Sequence, residues 1–299
     1  MKETVITVLT IIGFIAPKLS NGQDNLDSLL INSGPSSSQT VSIFKAGNLI
    51  NGRTTETINK GELDFRVDHR FGDIAGNAGG AKNFFGLDNS TDIRIGFDYG
   101  LWDNLNIGIA RAKGATDARQ LYEGNIKYRI LQQRQDNSVP VSIALFGSAT
   151  LSAMKASEDL TSAVHYPDFN DRLTYVSQII VARKFNSFLS LQVVPTYVHR
   201  NYTAYGDQNN VFAIGVGGRV KLSKRMAVVA DYFLPIRDES KKGYMEGIRG
   251  EKYYNALGLG LEIETGGHVF HMNFTNATAI QESQFITETT STWSKGQFR

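Results

Sequence analysis

The sequence predicts an all-β protein, an antiparallel transmembrane β-barrel of about twelve strands. Three observations carry that expectation. Stretches of alternating apolar and polar residues recur from residue 62 onward. One face of the early stretches collects charge while the other is almost free of it. The connections alternate between tight turns and long loops, as in barrels with short turns at one membrane face and longer loops at the other.

Residues 62–71 show the pattern first. Leu63, Phe65, Val67 and Phe71 share a face with His69, against Glu62, Asp64, Arg66, Asp68 and Arg70. Residues 91–101 set Ile93, Ile95, Phe97, Tyr99 and Leu101 against Asp92, Arg94, Gly96, Asp98 and Gly100. Stretches 105–110 and 122–130 follow, the latter with Glu123, Asn125, Lys127 and Arg129 opposite Tyr122, Ile126, Tyr128 and Ile130. Further strands are expected at 139–151, 172–183, 188–198, 210–222, 226–234, 254–264 and 268–276, and a last one from Trp293. No amphipathic helix is expected among them.

Tight links fall at 102–104, 184–187, 223–225 and 265–267, and long ones at 72–90, 152–171, 235–253 and 277–292, which are expected to face outward. Alternation alone does not say which face meets water. Charge does: Arg or Lys facing lipid at mid-bilayer costs ~2–4 kcal/mol, so the charged faces must line an interior. Aromatic residues near strand ends, among them Tyr99, Trp102, Phe185, Phe188 and Tyr232, suit the membrane–water interface. Three features resist the pattern. Pro195 predicts a bulge, Val176 and Ile180 fall on the nominally polar face, and both termini are expected at the short-turn end although Trp293–Arg299 is too short for a full strand. From ~9–11 residues per membrane strand, the sequence is expected to lack the end of its closing strand.

Composition narrows function. Among 299 residues, 31 basic and 29 acidic side chains give a formal charge of +2. That leaves no basic footprint for nucleic acid. Cysteine is absent, which removes disulfides, thiolate metal sites and cysteine nucleophiles. A mean hydropathy of −0.22 excludes a helical membrane bundle. Lys2 followed by the apolar run Val5–Ala16 reads as a secretory signal over residues 1–22, cleaved after Gly22. Residues 23–61 are expected to form a periplasmic N-terminal segment or a plug in the lumen, and 62–299 the outer-membrane barrel.

The stretches Phe44–Gly52, Lys60–Gly72, Asp98–Leu101 and Trp293–Arg299 resemble a family of bacterial outer-membrane β-barrel proteins known only as a domain of unknown function. The resemblance spans about residues 42–299. It implies a barrel, outer-membrane residence and a final strand that runs past the position of Arg299. It brings no catalytic residues.

The candidate site is the charged inner face. Asp64, Asp68, Asp92 and Asp98 alternate with Arg66, Arg70 and Arg94, and Glu123, Lys127 and Arg129 continue the pattern. These residues either line a constriction that selects small solutes or form an ion-pair network that fills and stiffens the barrel. His268 and His271 point to opposite faces of a strand and make no metal pair. Gly76–Lys82 lacks the Ser or Thr of a phosphate loop. No catalytic residue, cofactor or metal is expected. The expected function is a passive, porin-like channel for small polar solutes, in contact with outer-membrane lipid. The alternative is a closed structural or assembly barrel that binds an envelope partner through its long loops.

Overall fold

The computed structural model describes residues 39–250, 252–265 and 268–299. The expected signal over residues 1–22, and residues 23–38 of the expected N-terminal segment, lie outside them. Eleven strands form one antiparallel sheet in chain order. They are β1 (Leu63–Phe71), β2 (Ser90–Trp102), β3 (Leu105–Ala112), β4 (Leu121–Leu131), β5 (Ser142–Ser152), β6 (Leu173–Lys184), β7 (Leu189–Arg200), β8 (Asn210–Lys221), β9 (Met226–Ile236), β10 (Ala256–Thr265) and β11 (His268–Thr275). Loops at one end are long (72–89, 153–172, 237–255). Most at the other are tight, as at 103–104 and 222–225. The exception is 132–141, where Gln133 O accepts from Val41 N at 2.8 Å and so holds the start of the segment that leads to β1.

The sheet is inside out relative to a water-soluble protein. On β2, Ile95, Phe97 and Tyr99 are exposed, whereas Asp92, Arg94 and Asp98 are at most 8 % exposed. The apolar belt of Leu63, Phe65, Ile109, Ile126, Phe212 and Phe270 continues around the outside. An arrangement of this kind is stable only where the outside solvent is lipid.

The sheet is strongly curled. Residues 50–53 bond at once to Arg70 on β1, Glu123 on β4, Gln192 on β7 and Asp231 on β9, which a flat sheet could not offer. β1 and β11 are its two edges and are not paired with each other. The chain's last residues bond to both sides. Arg299 exchanges two backbone hydrogen bonds with Thr275, at 2.8 and 2.9 Å, and Phe298 O accepts from Ile74 N at 2.7 Å.

The structure corrects several expectations. A twelfth strand does not start at Trp293. Trp293–Lys295 is a 3-10 turn closed by Gly296 in the left-handed region (φ 71°), a backbone geometry that ends extended structure. Arg299 accordingly lies at the long-loop end rather than the short-turn end. Pro195 makes no bulge: β6 and β7 keep one register on either side of it, and only the ladder bonds beside the ring are missing. A helix does occur after β1. In α1 (Glu239–Arg249), Asp238 accepts from the Ser240 and Lys241 N–H groups and Gly250 closes the other end. Its caps are legible in sequence, but its apolar residues are few, Tyr244, Met245 and Ile248, and only Met245 is buried. Loop 277–292 folds inward instead of outward and carries a short helix, α2 (Glu282–Thr287), with every residue buried.

Candidate functional site

Two pieces of chain fill the space inside the curled sheet. The first is the segment 40–57. Leu49 N donates to Gly52 O and Thr54 N to Gly47 O, both at 2.9 Å, which pinches Asn48–Arg53 into a tight reversal. The N–H groups at its tip converge on one carboxylate. Asp231 Oδ2 accepts from Ile50, Asn51 and Gly52 at 3.1, 2.6 and 2.8 Å, and its Oδ1 accepts from Asn51 Nδ2 at 2.8 Å. Successive amides forming such a nest favour an anion. Gly52 is required there, because a Cβ would stand 2.7 Å from the Phe233 ring.

The second piece is the loop 276–292. Phe285 meets Phe233 edge-on with ring centroids 5.1 Å apart. Ile280 N donates to Asp92 at 2.8 Å, and Gln281 Nε2 to Glu123 at 2.8 Å. At the long-loop end Arg200 holds Glu288 at 3.0 Å, and Arg237 donates to Thr287 O. Asp207, outside the strands, sits between Arg200 (2.8 Å) and Arg237 (3.2 Å). Burial pushes its carboxyl up, but the two guanidinium groups outweigh this and hold it below the usual range.

The two pieces meet at Arg53. Its Nε donates to Glu282 at 2.7 Å, its Nη2 lies 3.4 Å from Glu123, and its guanidinium stacks on Phe146 at 4.4 Å. Glu123 is also gripped by Arg94 through two bonds of 3.0 Å. Every member of this girdle is nearly dry, so each charge must be met by another charge or a hydrogen bond.

The ten candidate residues divide accordingly. Arg94 and Glu123 join the girdle, and Asp68 touches it through Arg94 at 3.4 Å. Arg70 donates to Asn51 Oδ1 at 2.8 Å. Asp92 takes the N–H groups of Ile93, Gly114 and Ile280. Asp64 and Arg66 pair with each other at 2.7 Å. Asp98 and Lys127 line a separate cavity described below. Arg129 stands apart at the short-turn rim, bonded to Asp103 O at 3.0 Å. Sequence alone misses Arg53, Asp231 and Glu282. Asp231 carries a signal, as the one charge in Met226–Ile236; Arg53 and Glu282 precede and follow the strands and carry none.

Val176 and Ile180 also find their reason here. They are buried on the inner face among apolar neighbours, Val176 with Phe233, Phe285 and Ile286 and Ile180 with Phe146 and Val194. The wall is apolar where apolar chain covers it. Among the histidines, His69 is exposed against Phe71, with ring centroids 4.2 Å apart. His271 faces Glu262 at 3.7 Å, while His268 is exposed beside Phe270.

Comparison with known proteins places this architecture. A NanC porin structure aligns at 8 % identity and a TM-score of 0.43, over 64 % of this chain and 84 % of that one. The outer membrane channel DcaP of Acinetobacter baumannii aligns at 10 % identity and a TM-score of 0.32, over 62 % of this chain; the chain spans about 55 % of its length. At such distances these likenesses carry no functional argument. Among curated proteins none matches. The model of the family described as "Membrane bound beta barrel domain (DUF5777)" matches residues 44–299. With the inverted sheet and its lipid-facing belt, the match covers nearly the whole described chain, and the protein belongs to this family of membrane-bound β-barrels.

Proposed function

We propose that the protein is a porin-like barrel of the bacterial outer membrane that is closed at rest, and that small polar solutes pass along its charged wall when the interior chain shifts. One observation carries the reading. Two polar cavities lie inside the sheet, one of about 250 Å³ along β1–β4 and one of about 300 Å³ against β1, β2 and β11, and Arg53 and Asn48 line both. The cavities are therefore separated by a partition made of segment 40–57, latched to the 276–292 loop by the Arg53–Glu282 pair. A partition held by a few charge contacts on one side can move without dismantling the sheet. The chemistry is passive, with no side chain assigned to catalysis.

A second reading, a closed structural or assembly barrel that presents its long loops to an envelope partner, is favoured by the apolar seating of Phe285 against Phe233. Single-channel recording of the full-length refolded protein in a planar bilayer separates the two. The channel reading expects infrequent discrete steps from the wild type and more frequent ones from Arg53→Ala. It further expects charge reversal at Arg66 and Arg94 to move ion selectivity. Silence from both proteins, with folding established by heat-modifiable mobility, leaves the closed barrel.

A further inference from the structure

We infer that the cavity of about 250 Å³ on the short-turn side of Arg53 is a binding site for a small zwitterion, an ammonium and a carboxylate on one short skeleton. The inference deepens the channel reading by naming the solute class, but it stands on the cavity's own unmet groups. Most charges around the cavity are accounted for. Arg66 has Asp64 at 2.7 Å and Lys45 has Glu264 at 3.4 Å. Glu56 accepts from Ile43 N, Phe44 N and the Ser42 hydroxyl. Arg53 has Glu282 and Glu123.

Two charges are left over, one of each sign. Lys127 is 7 % exposed and Asp98 8 %. Among the described residues neither has an opposite charge within 4.0 Å or a side-chain hydrogen bond. Asn106 sits between them: it is the ladder partner of Lys127, and Gly108, two residues along, is the partner of Asp98. The Asn106 and Asn48 side-chain oxygens are themselves buried without a donor. Both face the cavity.

The backbone leaves room for the Asp98 carboxylate at Gly108, where a Cβ would collide with it, whereas a Cβ at Gly47 would make only ordinary contact with Arg66 Nη2 (3.5 Å) and Lys127 Nζ (3.8 Å). A zwitterion placing its carboxylate on Lys127 and its ammonium on Asp98, with the two amide oxygens accepting the remaining protons, satisfies all four groups at once. A simple anion leaves Asp98 unmet and a simple cation leaves Lys127 unmet. An unmet buried charge is costly, so neither half-ligand should compete well.

The test is isothermal titration calorimetry on the full-length refolded protein in detergent, with glycylglycine as probe and acetate and methylammonium as controls. Glycylglycine is expected to bind saturably, and each control at least about tenfold more weakly. Lys127→Met and Asp98→Asn are each expected to weaken the dipeptide about tenfold or more, since each removes a charge-assisted hydrogen bond. Both changes remove an unpaired buried charge, and heat-modifiable mobility checks that the variants fold. Equal binding of acetate, undiminished binding by Lys127→Met, or no heat from glycylglycine with folded wild type overturns the inference. A protein that binds the dipeptide but never conducts overturns the channel reading alone. One that conducts but does not bind overturns this inference alone.

Discussion

The inner wall has two halves that hold the same occupant by different physics. Along β1–β4, charge meets charge: Arg94 and Arg53 bracket Glu123, and Glu282 closes the group from the inward loop. Along β5–β9 apolar patches sit among polar residues such as Gln178, Gln192 and Thr196. Val176, Val198, Val211, Ala213 and Phe233 pack on Phe285 and Ile286, and Ala182 and Val229 on Ile43, Phe44, Leu49 and Ile50. The carboxylate in that half, Asp231, is met by amide N–H groups and not by a cation. Apolar packing is non-directional and adds up over area. An ion pair in a dry site depends steeply on geometry, and losing one partner strands the other. The apolar half therefore seats the occupant, and the charged half decides whether it stays latched.

If so, the largest loss should come from the carboxylate that anchors the segment in that half. Asp231→Ala leaves three backbone donors and the Asn51 amide without their acceptor, at about 1–3 kcal/mol for each donor left buried. The urea midpoint of the refolded barrel in detergent micelles is expected to fall further than for any other single change here. Asp231→Asn, which keeps one carbonyl oxygen, should recover part of it. Phe285→Ala comes next, at about 3–5 kcal/mol for an emptied aromatic site, with Phe285→Leu much milder. An Asp231→Ala effect below that of Phe285→Ala would mean that area, not the N–H nest, anchors the segment.

The charged half is tested by a double-mutant cycle on Arg53→Met and Glu282→Gln. The two losses are expected to be non-additive, with a coupling of about 0.5–3 kcal/mol as for other contacting pairs. Additive losses would break the latch. The strands were legible, from Leu63–Phe71 to His268–Thr275, because a barrel wall must alternate and lipid tolerates no charge. The charged faces were legible for the same reason. What fills the barrel was not. Arg53 and Glu282 are 229 positions apart in segments with no periodicity, and only the curling of the sheet brings them together. Val176 and Ile180 break the alternation because the interior opposite them is apolar, so an apparent fault in the pattern was a trace of the occupant.

A smaller effect follows from Asp207. Burial pushes its carboxyl up, but Arg200 and Arg237 win and hold it below the ordinary range. A depressed carboxyl contributes stability that is fully present above its unfolded value of about 4 and is lost as pH falls through the lower folded value. The urea midpoint should therefore drop on acidification below about pH 4, and Asp207→Asn should flatten that part of the curve. The pair anchors the loop bearing Thr287 and Glu288, so an unchanged profile would show that the long-loop end contributes little to seating the loop.

The smallest effect is expected at a pair that looks as good on distance alone. Arg249 and Asp117 approach to 2.5 Å, closer than the 2.7 Å of Arg53 and Glu282. The difference is solvent. The Arg249 and Asp117 side chains are 24 % and 45 % exposed, against 7 % and 5 % for Arg53 and Glu282. Water screens the first pair and rehydrates whichever partner is left, so Asp117→Asn should cost no more than about 1 kcal/mol. It should also shrink with added salt, whereas the Arg53–Glu282 coupling should hardly respond. Were both couplings equally small and equally salt-sensitive, the girdle around Arg53 would be wet, and burial would no longer separate a latch from a surface contact.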